Sequence, residues 1–146
     1  MKRIFLLGIA FVCIVAAKAQ YHCTVMTSTR STITLRATGY GKNVKKATAE
    51  AERNAVRMIL FSGADGTSFR FPLIQEDRDK VEDDNRSFFN DLYRGVYRDF
   101  IESSVVVTPF GKDASERKCV TVDVCVRAER LRSYLESKKI IRKFGL

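Results

Sequence analysis

The clearest pattern in the chain is a strict alternation near its end. Val120, Val122, Val124 and Val126 are separated by Thr121, Asp123 and Cys125. Side chains two residues apart share one face of a strand, so the valines predict a buried face, with Cys119 and Cys125 on the opposite one. Ile33, Leu35 and Ala37 alternate in the same way with Thr34, Arg36 and Thr38. Gly39-Tyr40-Gly41 breaks this earlier strand, and Asn43 is placed to cap a helix that starts at the next residue. From residue 44 to residue 61 the period changes. Val44, Ala47, Ala51, Ala55 and Met58 recur at spacings of three and four, which is helical. Its inner face is mostly alanine and therefore predicts a close approach to a sheet.

A second helical period covers 85–102, where Phe88, Phe89, Leu92, Tyr93, Val96, Tyr97, Phe100 and Ile101 form a broad aromatic stripe read as a core face. Gly95 lies inside it at a cost of about 1 kcal/mol relative to alanine, which predicts either tight packing or a break. Val105, Val106 and Val107 then lead to Pro109-Phe110-Gly111. The polar run KDASER returns the chain into the valine strand, as in a β-hairpin. A last helix starts near Ala128 and carries Leu131, Tyr134 and Leu135 inward. Residues 63–83 are irregular: Phe69, Phe71, Leu73 and Ile74 surround Pro72, and a dense charge run read as solvated surface comes after them. Structureless loops of that length are rare in compact domains, so part of the stretch is expected to be helical or mobile. Residues 20–31 have mixed alternation and suit an arm or an edge strand. The order β-α-α-β-β-α predicts an α+β fold, with helices on one face of an antiparallel sheet of three to four strands.

The ends add an address. Lys2 and Arg3 precede an uncharged apolar run from Ile4 to Ala17, and Ala17-Lys18-Ala19 closes it. That is the order of a secretory signal cleaved before Gln20, and the run is short for a membrane span. The expected organisation is a signal peptide at 1–19, an arm or edge strand at 20–31, a single domain at 32–139 and a basic tail at 140–146. The net charge of +9 falls to +6 when Lys2, Arg3 and Lys18 leave. Such a balance favours anionic partners, either an envelope protein or an anionic envelope surface. Nucleic acid is not expected, since the chain has no Trp and no basic-aromatic stacking motif. No transmembrane segment is expected in the mature chain.

Cys13 leaves with the signal. Of the remaining cysteines, Cys119 and Cys125 stand about 20 Å apart along one strand, too far to bridge each other. Cys23 can pair with Cys119 or with Cys125, or all three can stay buried thiols. His22 is the only histidine, next to Cys23 near the new N-terminus. The acidic run has Arg78, Lys80 and Arg86 beside it and lacks the regular oxygen spacing of a calcium loop. GYGKN is too short for a phosphate-binding loop. No catalytic residue, metal site or cofactor is expected. Arg130, Arg132, Lys138, Lys139, Arg142 and Lys143, interspersed with Ile140, Ile141 and Phe144, make a candidate surface for an anionic partner. The competing reading is a solvated helix end with a frayed tail.

The string ATGYGKNVKKATAEAERNAV resembles the opening of the group formed by small outer-membrane lipoproteins and the N-terminal domain of flagellar assembly protein T. Ala37, Gly39, Gly41, Ala47, Ala51, Arg53 and Ala55 are the matching positions. The likeness continues through a helix running into a strand, Gly95 to Val107, and through KCVTVDVCVRAERLRSYL, covering roughly residues 32–135. Cys13 follows Val12 where the lipidation motif takes Gly, Ala or Ser, so attachment by lipid is not carried over; nor is assembly into a flagellar ring. The resemblance implies a structural or accessory role at the cell envelope. The expected function is a non-enzymatic exported protein that binds another envelope component. The alternative is a small secreted enzyme or ligand-binding domain using a pocket near residues 63–84.

Overall fold

The computed structural model describes residues 21–143; the signal expected at 1–19 and the last three residues of the tail lie outside that range. Four strands form one antiparallel sheet: β1 (Cys23–Ser28), β2 (Ile33–Tyr40), β3 (Ile101–Lys112) and β4 (Lys118–Val126), in the spatial order β1-β2-β4-β3. The helices are α1 (Val44–Phe61), α2 (Arg78–Asp84), α3 (Arg86–Arg94) and α4 (Ala128–Ser137), with a 3₁₀ turn at Val96–Phe100. The class is α+β.

The two alternating segments are the central pair. Ile33 stands opposite Val126, Leu35 opposite Val124 and Ala37 opposite Val122, and all six are buried. Helix α1 lies against them. Asn43 caps it, its side-chain oxygen accepting from the Lys46 amide at 3.0 Å. Ala47, Ala51 and Ala55 are fully buried. The approach is so close that a Cβ on Gly39 would overlap the Ala47 carbonyl oxygen and the Ala51 amide nitrogen. Alanine on the helix and glycine on the strand are therefore one packing solution.

The segment at 20–31 supplies the edge strand β1, turned into β2 by Thr29, whose hydroxyl accepts the Ser31 and Thr32 amides. The helix expected at 85–102 is broken. Helix α3 ends at Arg94, the 3₁₀ turn comes next, and Ile101 already belongs to β3. Open space surrounds Gly95, so the glycine marks the break rather than a tight contact. Phe89, Leu92, Tyr97 and Phe100 nevertheless reach the core. Tyr134 is half-buried, its ring 5.7 Å from that of Phe88 and 5.2 Å from that of Phe100. Asp113 organises the β3–β4 turn by accepting the Ser115 and Arg117 amides.

The bridge from Cys23 to Cys119 or Cys125, one of the two alternatives left open by the sequence, is not formed; all three thiols are free. The register explains why. Cys23 stands opposite Ala37 and so shares the core face, whereas Cys119 and Cys125 stand opposite Tyr40 and Thr34 on the uncovered face. Two strand spacings and three residues of chain also separate Cys23 from either partner, about 14 Å in the plane of the sheet. That is twice the reach of a disulfide.

Candidate functional site

Two regions that are distant in the sequence meet beside the C-terminal end of α1. The first is the loop after that helix. Gly63, at φ +75°, donates to the Met58 carbonyl at 2.8 Å and ends the helix. A Cβ there would strike the Arg70 carbonyl, so only glycine lets the loop fold back over this point. The Leu73 and Ile74 amides then satisfy the Ile59 and Leu60 carbonyls at 3.1 and 2.9 Å, carbonyls that the last turn of a helix leaves without intrahelical partners. Phe69 and Ile74 are buried as anchors, while Phe71 remains 62% exposed with the Arg70 guanidinium 4.7 Å from its ring centroid.

The second region is the end of α4. Lys139 adopts a left-handed φ of 58°. Its amide donates to the Glu136 carbonyl and the Ile140 amide to the Leu135 carbonyl, both at 3.0 Å. These paired bonds are the Schellman turn that reverses a chain at a helix end. Residues 140–143 are consequently folded back, with Ile140 and Ile141 packed against the core. The frayed-tail reading does not hold for them.

Between these two regions lies an open groove of about 1320 Å³. Arg70, Arg132, Lys139, Arg142 and Lys143 contribute five cations to its lining, against the carboxylates of Glu76 and Glu136. Phe71, Pro72, Leu73, Ile140 and Ile141 supply an apolar floor and wall. Four of the six basic residues singled out from the sequence converge here. Arg130 and Lys138 are outside the lining, the latter with its ammonium 5.6 Å from the Tyr134 ring centroid. The groove also includes part of the 63–84 stretch, so the surface and the pocket weighed separately in the sequence form one feature. Arg70 and Phe71 are its unforeseen members. Their only sequence signal is a cation and an aromatic beside Pro72 in a loop.

The densest polar cluster lies elsewhere, where α1, α2 and α3 meet the N-terminal segment. Glu82 accepts from Tyr93 at 2.7 Å and from Arg78 at 3.2 Å. Arg78 also donates to the Tyr21 hydroxyl at 2.7 Å. The Arg57 guanidinium sits 4.5 Å from the Tyr93 ring centroid and pairs with Glu50. Burial, reinforced by the Glu82 acceptor, pushes the Tyr93 phenol well above its ordinary range. Its groups are paired with one another, and the cluster ties Tyr21 and α2 to α1 and α3. The acidic run is only partly spent on solvent: Glu82 joins this cluster, and Asp77 caps α2 by accepting the Lys80 amide.

His22 and Cys23, adjacent in sequence, are placed apart. The His22 ring lies 6.4 Å from Tyr40, on the uncovered side, whereas burial pushes the Cys23 thiol up to about 12. Among the described residues no three His, Cys, Asp or Glu side chains gather to hold a metal ion. No helix among them is long and apolar enough to cross a membrane. Compared with known proteins, the chain matches no family model, no curated protein and no solved structure.

Proposed function

We propose that this chain is an exported, non-enzymatic binding protein of the cell envelope, and that its groove docks onto an anionic lipid surface. The observation that carries this reading is the convergence of five cations on one apolar-floored groove. Cations around exposed Phe71 and half-buried Ile140 and Ile141 suit the boundary between headgroups and acyl chains, where charge attraction and apolar burial act together. The secretory pattern at residues 1–19 and the resemblance to small envelope proteins support the address. The alternative, a ligand-binding pocket beside residues 63–84, uses the same groove and differs in its occupant.

Binding of residues 20–146 to vesicles separates the two. Vesicles rich in an anionic phospholipid should bind and purely zwitterionic ones should not. Each cation near such a surface contributes about 1 kcal/mol. Arg142→Gln with Lys143→Gln should therefore weaken partitioning about thirtyfold at constant fold, as judged by circular dichroism. Equal binding to both vesicle types, or an unchanged double variant, would overturn lipid docking. Binding only to a soluble anionic amphiphile would favour the alternative.

A further inference from the structure

The groove lies beside the C-terminal end of α1, and the opposite end of that helix carries charge that the fold does not use. Lys42 precedes the Asn43 cap, and Lys45 and Lys46 belong to the first turn. Lys118 joins them from the start of β4, its carbonyl accepting the Gly41 amide at 3.1 Å. Lys46 adjoins the same glycine, since a Cβ added to Gly41 would lie 3.0 Å from the Lys46 Cβ. All four lysines are exposed, and among the described residues none of them forms an ion pair. The acids of the neighbouring turn are taken, Asp113 by Arg117 and Glu116 by Lys112. The start of a helix is its positive end and favours anionic side chains, yet the first turn of α1 contains no acid. Cations placed against that preference, without a compensating partner, mark a surface kept for something outside the fold.

We propose that this lysine cluster is a second contact for an anionic bilayer, so that one molecule bridges two membrane surfaces. The inference rests on the lipid docking of the groove proposed above and adds a partner at the other end of α1. Eighteen residues at a rise of 1.5 Å make that helix about 27 Å long. The two charge clusters are therefore separated by more than three times the screening length of about 8 Å at physiological salt. A surface held at the groove leaves the lysines free to attract another. Their chemistry also differs from that of the groove. Lysines are compact point charges on flexible stems, and Val44, 51% exposed, is the exposed hydrophobic among them. Such a set suits the diffuse charge of a headgroup layer rather than a ligand of defined shape. The groove includes none of these residues, so each contact can be removed without touching the other.

Residues 20–146 mixed with vesicles rich in an anionic phospholipid test it through two readouts, co-sedimentation for binding and dynamic light scattering for clustering. The native chain should bind, and at a low ratio of protein to lipid it should gather vesicles into larger particles. At saturating protein the particles should return to single-vesicle size, because every surface is then covered by its own molecules. Lys42→Gln with Lys45→Gln and Lys46→Gln removes three cations, each worth about fivefold near such a surface. The second contact should therefore weaken about a hundredfold. This triple variant should still bind vesicles but leave them unclustered. Its urea midpoint should be no lower than that of the native chain, since the helix start loses only disfavoured charges. Four results would overturn the proposal. A native chain that binds no vesicles would remove groove docking and bridging together. Binding without clustering would remove bridging alone. Clustering that survives the triple variant would place the second contact elsewhere. Binding and clustering lost in parallel in that variant would mean that groove and lysines lie on one surface.

Discussion

Cys23 shows how one residue's chemistry depends on which side of a strand it occupies. It is a strand neighbour of Ala37 on the covered face, and burial lifts its thiol from 9.0 to about 12. The thiolate is the reactive form, so at neutral pH Cys23 presents about a thousandfold less of it than an ordinary thiol. In timed alkylation of the native chain, Cys23 should be modified last, after Cys119 and Cys125. In denaturant all three should react together. Peptide mass spectrometry reads the order directly. A disulfide joining Cys23 to Cys119 or Cys125 in unreduced protein would contradict their placement on opposite faces of the sheet.

At the scale of elements, the seat of α1 on β2 is the tightest contact and the most sensitive to substitution. Gly39→Ala places a methyl group where Ala47 and Ala51 backbone atoms already stand, so helix and strand must separate. Overpacking of this kind costs typically 1–3 kcal/mol, occasionally more. Because backbone rather than flexible side chain must yield, about 3 kcal/mol is expected, read as a lower urea midpoint with an unchanged slope. Asn43→Ala, which removes only the cap, should cost about 1 kcal/mol. These elements were legible in the sequence because strict periods of two and of three-to-four survive wherever one face is buried. Strand β3 was legible only in part. Three consecutive valines carry no period, and three bulges displace its register, so neither its start at Ile101 nor its exposure could be read. The break at Gly95 was one of two readings that the aromatic stripe allowed, because the stripe continues through the 3₁₀ turn. The groove was legible only as separate halves. Arg70 and Arg142 are far apart in sequence, and the turn that joins them depends on Lys139 adopting a conformation for which lysine gives no local signal.

At the scale of the whole molecule, the two sheet faces carry different titrations, and together these set the pH range of the fold. On the uncovered face Arg36 donates to both oxygens of Asp123, at 2.8 and 2.9 Å. The hydrogen bonds from Arg36 hold the Asp123 carboxyl below its ordinary value of 3.8. A depressed folded value means that the pair's contribution is complete above about pH 4 and is lost as the pH falls through the folded value. On the helical side the signs reverse. Burial raises the Cys23 thiol and the Tyr93 phenol, the latter helped by Glu82. Their contributions are complete below the unfolded values, near 9 for the thiol and about 10 for the phenol, and fade as the pH climbs beyond them. Stability should therefore form a plateau from about pH 4 to about pH 9, with losses on both sides. Urea midpoints measured across this range should show the acid limb flattened by Asp123→Asn and the alkaline limb flattened by Tyr93→Phe. Each substitution should leave the other limb in place, because the two groups lie on opposite sides of the sheet. If Asp123→Asn left the acid limb as steep as before, the Arg36 pair would not be what sustains the fold there. Asp113, held below its ordinary value first by the hydrogen bond from the Arg117 amide, would then have to carry it.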